Sequence, residues 1–316
     1  MRYRTLGRTG LDVSALSMGT VELGLDYGIG PAAQASRPRE KDAIRLVHAA
    51  LDAGINFFDT ARAYGDSERV LGLALEGRRA DVVLATKVDL RRPDRTLWPE
   101  GELQQAMLDS LETSLRMLRT DYVDIWMIHS IDEMVWSQRQ IIAEAFAEAR
   151  RRGLIGWTGA SFYGTALPEE ALPHDLFDVI QVTYSVLDQR MDERVFPLAR
   201  AYDVGVVVRS ILLKGALTER AESLPPHLAP LKERSRRFRE LLAATSDGMT
   251  PAQGAIAFGL AHPSIDTVLV GVHNLDELAE DVAAVAMQLT PDELATLRSL
   301  AIEDEILLDP GAWNIP

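Results

Sequence analysis

Short apolar, β-branched runs alternate with longer amphipathic stretches along most of the chain. Eight runs read as strands, at residues 15–20, 55–60, 82–88, 122–129, 155–161, 179–184, 204–210 and 267–272. They are almost continuously apolar rather than strictly alternating, which is what a parallel sheet covered on both faces requires. Between them, residues 41–53, 67–76, 102–118, 138–151, 193–202, 252–260 and 275–286 carry helical patterns, and Leu111, Leu115 and Leu118 fall on one buried face. Ser67 and Asp192 are candidate caps for the helices they precede, and Pro251 suits a first helical turn. Eight strands alternating with helices is the count of an α/β (β/α)8 TIM barrel. The rival, an open doubly wound sheet, usually has a glycine-rich phosphate turn after its first strand. Here the first strand runs into Gly19-Thr20-Val21-Glu22, with no GxGxxG. The expectation is one barrel domain over residues 1–316, with a short N-terminal hairpin at 3–13 turned by Gly7 and Gly10. A long polar excursion after strand seven, residues 224–239, is expected to be a loop over a ligand.

Charge and composition narrow the partners. The 33 basic and 47 acidic residues leave a net charge of −14, a field that opposes nucleic acid and anionic membrane. The absence of cysteine removes disulfides, thiolate nucleophiles, Cys–zinc sites and Fe–S clusters. The N-terminus lacks the apolar core of a signal peptide, and no run reaches the roughly 18 apolar residues of a membrane span. The expectation is a cytoplasmic protein acting on a small molecule, with neither nucleic acid nor membrane as partner. Oligomeric state stays open.

Four polar residues then stand out. Asp59, Lys87 and His129 each end an apolar strand, and Tyr64 follows Asp59 by five residues. A charged group there is costly to bury unless paired, and the C-terminal strand ends are where a barrel places its active site. Tyrosine titrates near 10, and a neighbouring ammonium would lower that value. A carboxylate beside the lysine would hold the ammonium in place. Together Tyr64, Lys87 and Asp59 make a tunable acid–base, with His129 to orient a substrate oxygen or help pass a proton. Such a set suits protonation of a carbonyl oxygen while a hydride arrives at carbon. The plainer alternative is an Asp–Lys ion pair that merely closes the barrel end. A glycosidase would need two facing carboxylates, and only Asp59 is so placed, beside a lysine. His48, His174, His227, His262 and His273 lack ligand spacing, so no metal is expected.

The run Gly54-Ile55-Asn56-Phe57-Phe58-Asp59-Thr60-Ala61-Arg62-Ala63-Tyr64-Gly65, continuing Asp66-Ser67-Glu68-Arg69-Val70-Leu71-Gly72, resembles the main signature of the aldo-keto reductase family. The opening Leu6-Gly7-Arg8-Thr9-Gly10, then Ala85-Thr86-Lys87, Asp121-Tyr122-Val123-Asp124 and Ile155-Gly156-Trp157-Thr158-Gly159-Ala160-Ser161 match in order. The resemblance implies a barrel that binds NAD(P)(H) across its strand ends, without a Rossmann domain, and transfers hydride between the nicotinamide and a carbonyl or alcohol, possibly sugar-derived. Tyr64 would be the general acid or base, Lys87 and Asp59 would tune it, and His129 would orient the carbonyl. Cofactor contacts would come from Gly19, Thr20 and Asp59, from Ser161 and Gln181, from Arg209, Ser210, Leu212 and Lys214, and from Gly271, His273, Glu277, Glu280 and Asp281. The resemblance also carries a second function, that of a cofactor-sensing subunit in a larger assembly with slow or secondary turnover.

The chain departs from the family pattern in places. Phe162 stands where Asn usually follows the serine, and Arg209 stands where an aromatic residue often stacks on the nicotinamide. A guanidinium plane can also stack on a π system; the alternative is that Arg209 pairs with a nearby acid. Lys214 would add a phosphate contact or be a solvated side chain. At the adenosine end the chain offers Val272, His273 and Glu277 where relatives usually place the basic and hydroxyl residues that hold a 2′-phosphate, and ends in Asp281 where Asn is common, which leans towards NAD(H). Most of the family uses NADP(H), and the basic run 232–237 would restore the charge if it folded over; otherwise it is a solvated helix face. The choice between the two cofactors stays open. Substrate walls are expected from loops 22–40, 90–99 and 131–136 and from the tail to Pro316, with Tyr27, Trp98 and Trp313 as apolar candidates. Arg91, Arg92 and Arg95 would suit an anionic substrate such as a phosphorylated or nucleotide-linked sugar, or are simply an exposed loop.

Overall fold

The computed structural model describes residues 1–30, 37–245 and 248–315. Strands β1 (Tyr3–Thr5) and β2 (Asp12–Ser14) pair antiparallel around a 3-10 turn at Gly7–Thr9. The eight expected runs follow as β3 (Leu16–Gly19), β4 (Phe57–Asp59), β5 (Val83–Val88), β6 (Val123–Ile131), β7 (Ile155–Phe162), β8 (Val179–Thr183), β9 (Gly205–Arg209) and β10 (Thr267–Gly271). All pair in parallel with their neighbours, and β10 pairs with both β3 and β9, which closes the barrel. The TIM-barrel expectation holds.

Side-chain alternation divides the buried residues into two layers. Phe57, Ala85, Ile125, Met127, Val179 and Val207 fill the barrel interior. Leu84, Trp126, Ile128, Ile180 and Val208 point outward, into the core shared with helices such as Glu40–Asp52, Glu100–Leu118 and Arg139–Arg151. This two-sided burial is why the strands read as continuous apolar runs. The hairpin plugs the N-terminal end with Leu6. Gly7 makes that plug possible: it has φ +44, and a Cβ there would lie 2.3 Å from the Gly205 nitrogen.

The excursion after β9 is not the expected loop. A 3-10 turn at Pro226–Leu228 leads into a helix, Ala229–Thr245, which buries Leu231, Ser235, Phe238 and Leu242 at helical spacing. Its Lys, Arg and Glu are strong helix formers, so a polar sequence here conceals a helix. The run 232–237 is a solvated face: Lys232 pairs with Glu222, and Arg236 with Glu233 and Glu240. The two expected caps also fail. Ser67 opens the helix Ser67–Ala74 but bonds to the Thr20 carbonyl at 2.7 Å. Asp192 ends a 3-10 turn and accepts from the Tyr184 hydroxyl at 3.2 Å. Pro251 does sit at a helix start, behind a capping box formed by Thr250 and Gln253. No helix among the described residues is long and apolar enough to cross a membrane.

Candidate active site

The ends of β4, β5, β6 and β8 meet at one buried ion pair. The Lys87 ammonium donates to Asp59 Oδ2 at 2.5 Å and to the Thr60 carbonyl at 3.0 Å. The other carboxylate oxygen, Asp59 Oδ1, accepts from Gln181 Nε2 at 3.0 Å. Lys87 is 1% exposed and Asp59 3%, so each charge needs the other. Beside the pair lies Tyr64, its ring centroid 5.0 Å from Lys87 Nζ. His129 meets the same ring edge-on, with centroids 5.3 Å apart.

Local contacts put Tyr64 there. Its loop is tied to β5 by the Thr60 amide on the Ala85 carbonyl and the Arg62 amide on the Lys87 carbonyl. Buried Glu68 holds the loop from beneath, accepting from Thr86 Oγ1 at 2.7 Å and pairing with Arg62. From the other side the turn after β3 presses in so closely that a Cβ at Gly24 would lie 1.8 Å from the Tyr64 carbonyl oxygen. His129 falls where the pairing of β6 with β7 shifts register between Ile128 and Ile131. Such irregularities re-aim side chains at sites.

The protonation pattern differs from the one expected. Desolvation, and then the charge of Asp59, raise the Tyr64 phenol above its usual value, with Arg209 the cation that opposes them. The Lys87 ammonium, bonded to Asp59 and the Thr60 carbonyl, lies over the Tyr64 ring, and its pull on the phenol is outweighed by desolvation and the Asp59 charge. Desolvation lowers the Lys87 pKa, with Asp59 opposing. Desolvation, with Lys87 and Arg209, lowers His129 to about 3. The cluster therefore presents a neutral phenol and a neutral imidazole beside a buried ion pair.

These residues open into a cavity of about 570 Å³ that runs along the strand ends to the far side of β10. Every position expected to contact a cofactor lines it. Gly19 ends β3 and Thr20 follows it, Ser161 lies next to the end of β7 and Gln181 on β8, and Ser210, Leu212 and Lys214 come after β9. Ser210, Leu213 and Lys214 have φ of 60°, 48° and 58°, left-handed values that non-glycine residues seldom adopt outside functional turns. Lys214 Nζ lies 5.2 Å from the centre of the Tyr27 ring. Gln181 is engaged with Asp59 as well as facing the cavity.

Arg209 pairs with no acid among the described residues. It donates to Ser161 Oγ at 3.3 Å, to the Phe162 carbonyl at 3.1 Å and to Ser210 Oγ at 3.3 Å, and stacks 4.0 Å over the ring of Tyr163. Phe162 itself turns outward and packs on Phe177. Tyr163 was not among the expected residues, although an aromatic directly after Ser161-Phe162 was a visible signal.

Gly271 at the end of β10, and His273, Glu277, Glu280 and Asp281 beyond it, close the cavity. Arg220, also unanticipated, pairs with Glu277 at 2.7 Å. His273 donates its amide to Glu277 at 2.9 Å and adds a ring contact at 3.1 Å. Although desolvation opposes it, these bonds and the charges of His273 and Arg220 hold the Glu277 carboxyl at about 2. Asp281 is buried and desolvation raises its pKa well above the carboxylate range. The set fits a dinucleotide: hydroxyls, cations and a strained backbone turn in the middle, and a polar pocket at each end. Among the described residues no three His, Cys, Asp or Glu side chains gather to hold a metal ion.

A second cavity, about 770 Å³, adjoins the first and shares Tyr163. Asp132, Met134, Thr165 and Glu305 line it, and so does Arg91, but Arg91 is paired with Asp132. Arg92 turns back on Trp98 and Glu102, and Arg95 occupies a tight turn with φ 70°. Arg91 and Arg92 thus each face an acid, and of the three only Arg91 lines the cavity. Of the apolar candidates, Tyr27 lines the first cavity, while Trp313 is wholly buried and bonds to the Ile306 and Leu307 carbonyls. Residues 31–36 of the expected 22–40 wall, and Pro316, lie outside the described residues.

With the geometry in view, the comparisons with known proteins agree. The model of the aldo/keto reductase family matches residues 15–302. The chain is 32% identical to the L-galactose dehydrogenase of Arabidopsis thaliana, over 99% of this chain and 94% of that protein. It is 28% identical to the oxidoreductase YqkF of Bacillus subtilis, over 96% and 98%. The holo form of the aldo-keto reductase AKR11C1 from Bacillus halodurans superposes with a TM-score of 0.76 at 30% identity, covering 96% of this chain and 97% of the other.

Proposed function

This chain belongs to the aldo/keto reductase family, and on that premise we propose that it interconverts a carbonyl and an alcohol with NAD(P)(H), Tyr64 moving the proton. The observation that carries the reading is the junction of Asp59, Lys87 and Gln181 beside Tyr64 and His129, all at one end of a cavity sized for a dinucleotide. When bound, the cofactor would supply or accept the hydride. The neutral Tyr64 phenol donates a hydrogen bond and then its proton to the carbonyl oxygen, and takes it back in the oxidative direction. Buried Lys87 lies over the ring face and stabilises the developing phenolate. Neutral His129 fixes the substrate oxygen without adding charge. Arg209, stacked on Tyr163 and tied to Ser161, presents a planar cation to the nicotinamide end.

The adjoining cavity, with Asp132 and Glu305 in its wall and Arg91 already neutralised, suits an uncharged hydroxylated carbonyl such as a sugar-derived aldehyde or ketone, and disfavours a phosphorylated one. Likeness to the L-galactose dehydrogenase supports the same class. The experiment is a calorimetric titration of cofactor-free protein with NADH and NADPH, followed by turnover on neutral sugars with whichever binds. Binding of neither at millimolar concentration would overturn the reading.

A further inference from the structure

The wall of the cofactor cavity holds a carboxyl group that the proposed chemistry does not use. Glu22 lies in the one-turn helix Val21–Gly24 after β3, is 5% exposed, and lines the cavity between the Tyr64 cluster and the residues beyond β10. Its Oε2 is buried and has no hydrogen-bond partner among the described residues. Its other oxygen crowds Gly271, where a Cβ would fall 1.8 Å from Oε1. Glycine at 271 therefore makes room for this side chain.

The titratable groups whose charge reaches Glu22 are His273, Glu277 and Arg220, with Tyr27, Tyr64 and Asp281 across the cavity. Neither cation neutralises it. Arg220 is bonded to Glu277, and His273 to Glu277 and to the Tyr27 carbonyl. Desolvation raises the Glu22 pKa to about 7. A dinucleotide brings at least two negative phosphates into the same low-dielectric cavity, where a further carboxylate would be repelled. A carboxylic acid would offer an O–H donor instead, and the unpartnered Oε2 is where the proton can reside.

We propose that Glu22 takes up a proton from solvent when the dinucleotide binds, so that the cofactor is received by a neutral acid and its affinity falls as pH rises above neutrality. This rests on the cofactor reading given above. Linkage sets the size of the effect: between the pKa of the free protein and the higher one in the complex, each pH unit weakens binding by up to about tenfold.

The test is titration of the full-length, cofactor-free protein with NADH and NADPH at pH 7.5, in buffers of different ionisation enthalpy, repeated from pH 6 to 9. The expected result is uptake of about half to three-quarters of a proton at pH 7.5, absent in Glu22→Gln and retained in Asp281→Asn and His273→Asn. The affinity of Glu22→Gln should vary little with pH. Binding without proton uptake, or with uptake unchanged in Glu22→Gln, would overturn the proposal while leaving the cofactor reading intact. Binding of neither nucleotide at any pH would remove both. If Glu22→Gln fails to fold, infrared difference spectra of the wild-type protein decide: a new protonated-carboxyl band on cofactor addition supports the proposal, and its absence overturns it.

Discussion

Gln181 reaches across the barrel to donate, at 3.0 Å, to the Asp59 oxygen that Lys87 leaves free. Each Asp59 oxygen thereby accepts from one donor, and the Lys87 ammonium is fixed between Asp59 and the Thr60 carbonyl. The lysine meets Tyr64 at the ring face, its Nζ 5.0 Å from the centroid, and not by a bond to the hydroxyl. Lys87→Met should therefore do two things. It strands a buried carboxylate, costing about 3–5 kcal/mol in urea unfolding, and it lowers turnover by at least about a hundredfold. Rates equal to wild type across the pH range would contradict the second effect.

Arg209 is held by Ser161, Ser210 and the Phe162 carbonyl, with Tyr163 behind it. Arg209→Ala should weaken binding of both nucleotides by about thirtyfold, the size of one desolvated cation–π contact of about 2 kcal/mol. Calorimetric affinities unchanged for both would remove Arg209 from the nicotinamide end.

Much of this was legible in the sequence. Asp59, Lys87 and His129 were readable because a buried parallel strand ending in a charged residue is unusual, and the barrel places such ends together. Less legible were partners joined only by the closed fold. Gln181 meets Asp59 from 122 positions away, and Arg220 meets Glu277 through a turn with no periodicity to reveal it. The excursion after β9 misled for a physical reason: only four of the seventeen residues of Ala229–Thr245 are buried, so its helical stripe was hidden among charges. The expected lowering of the tyrosine pKa is outweighed by burial and the Asp59 charge, neither of which a strand-end pattern reveals.

His129 should stay neutral through the physiological range. With its pKa lowered from 6.5 to about 3, the unfolded chain binds a proton there that the folded protein refuses. Its contribution to stability is complete above about pH 6.5 and is lost as pH falls towards 3. Urea unfolding at pH 5 and 7.5 should show a smaller loss of stability in His129→Asn than in wild type. Imidazole nitrogen resonances of a charged ring at pH 6 would contradict the assignment.

The ratio of NADPH to NADH affinity should depend on the Arg220–Glu277 pair. Glu277→Gln removes one negative charge and releases Arg220 for a phosphate. The ratio should rise by at least about tenfold, since at an effective dielectric near 20 one unit charge is worth about 1.4 kcal/mol even at about 12 Å. Parallel calorimetric titrations measure it, and an unchanged or lower ratio would place the 2′-position of the ribose away from this pair.

The central claim is that Tyr64 moves the proton, and a single substitution isolates it. Tyr64→Phe keeps the ring that meets His129 and Lys87 and deletes only the hydroxyl. The measurement is single-turnover oxidation of bound reduced cofactor by a saturating neutral sugar aldehyde, alongside cofactor affinity for the same protein. The account predicts affinity within about threefold of wild type and a hydride-transfer rate at least about a hundredfold lower. A rate equal to wild type, with affinity intact, would contradict it.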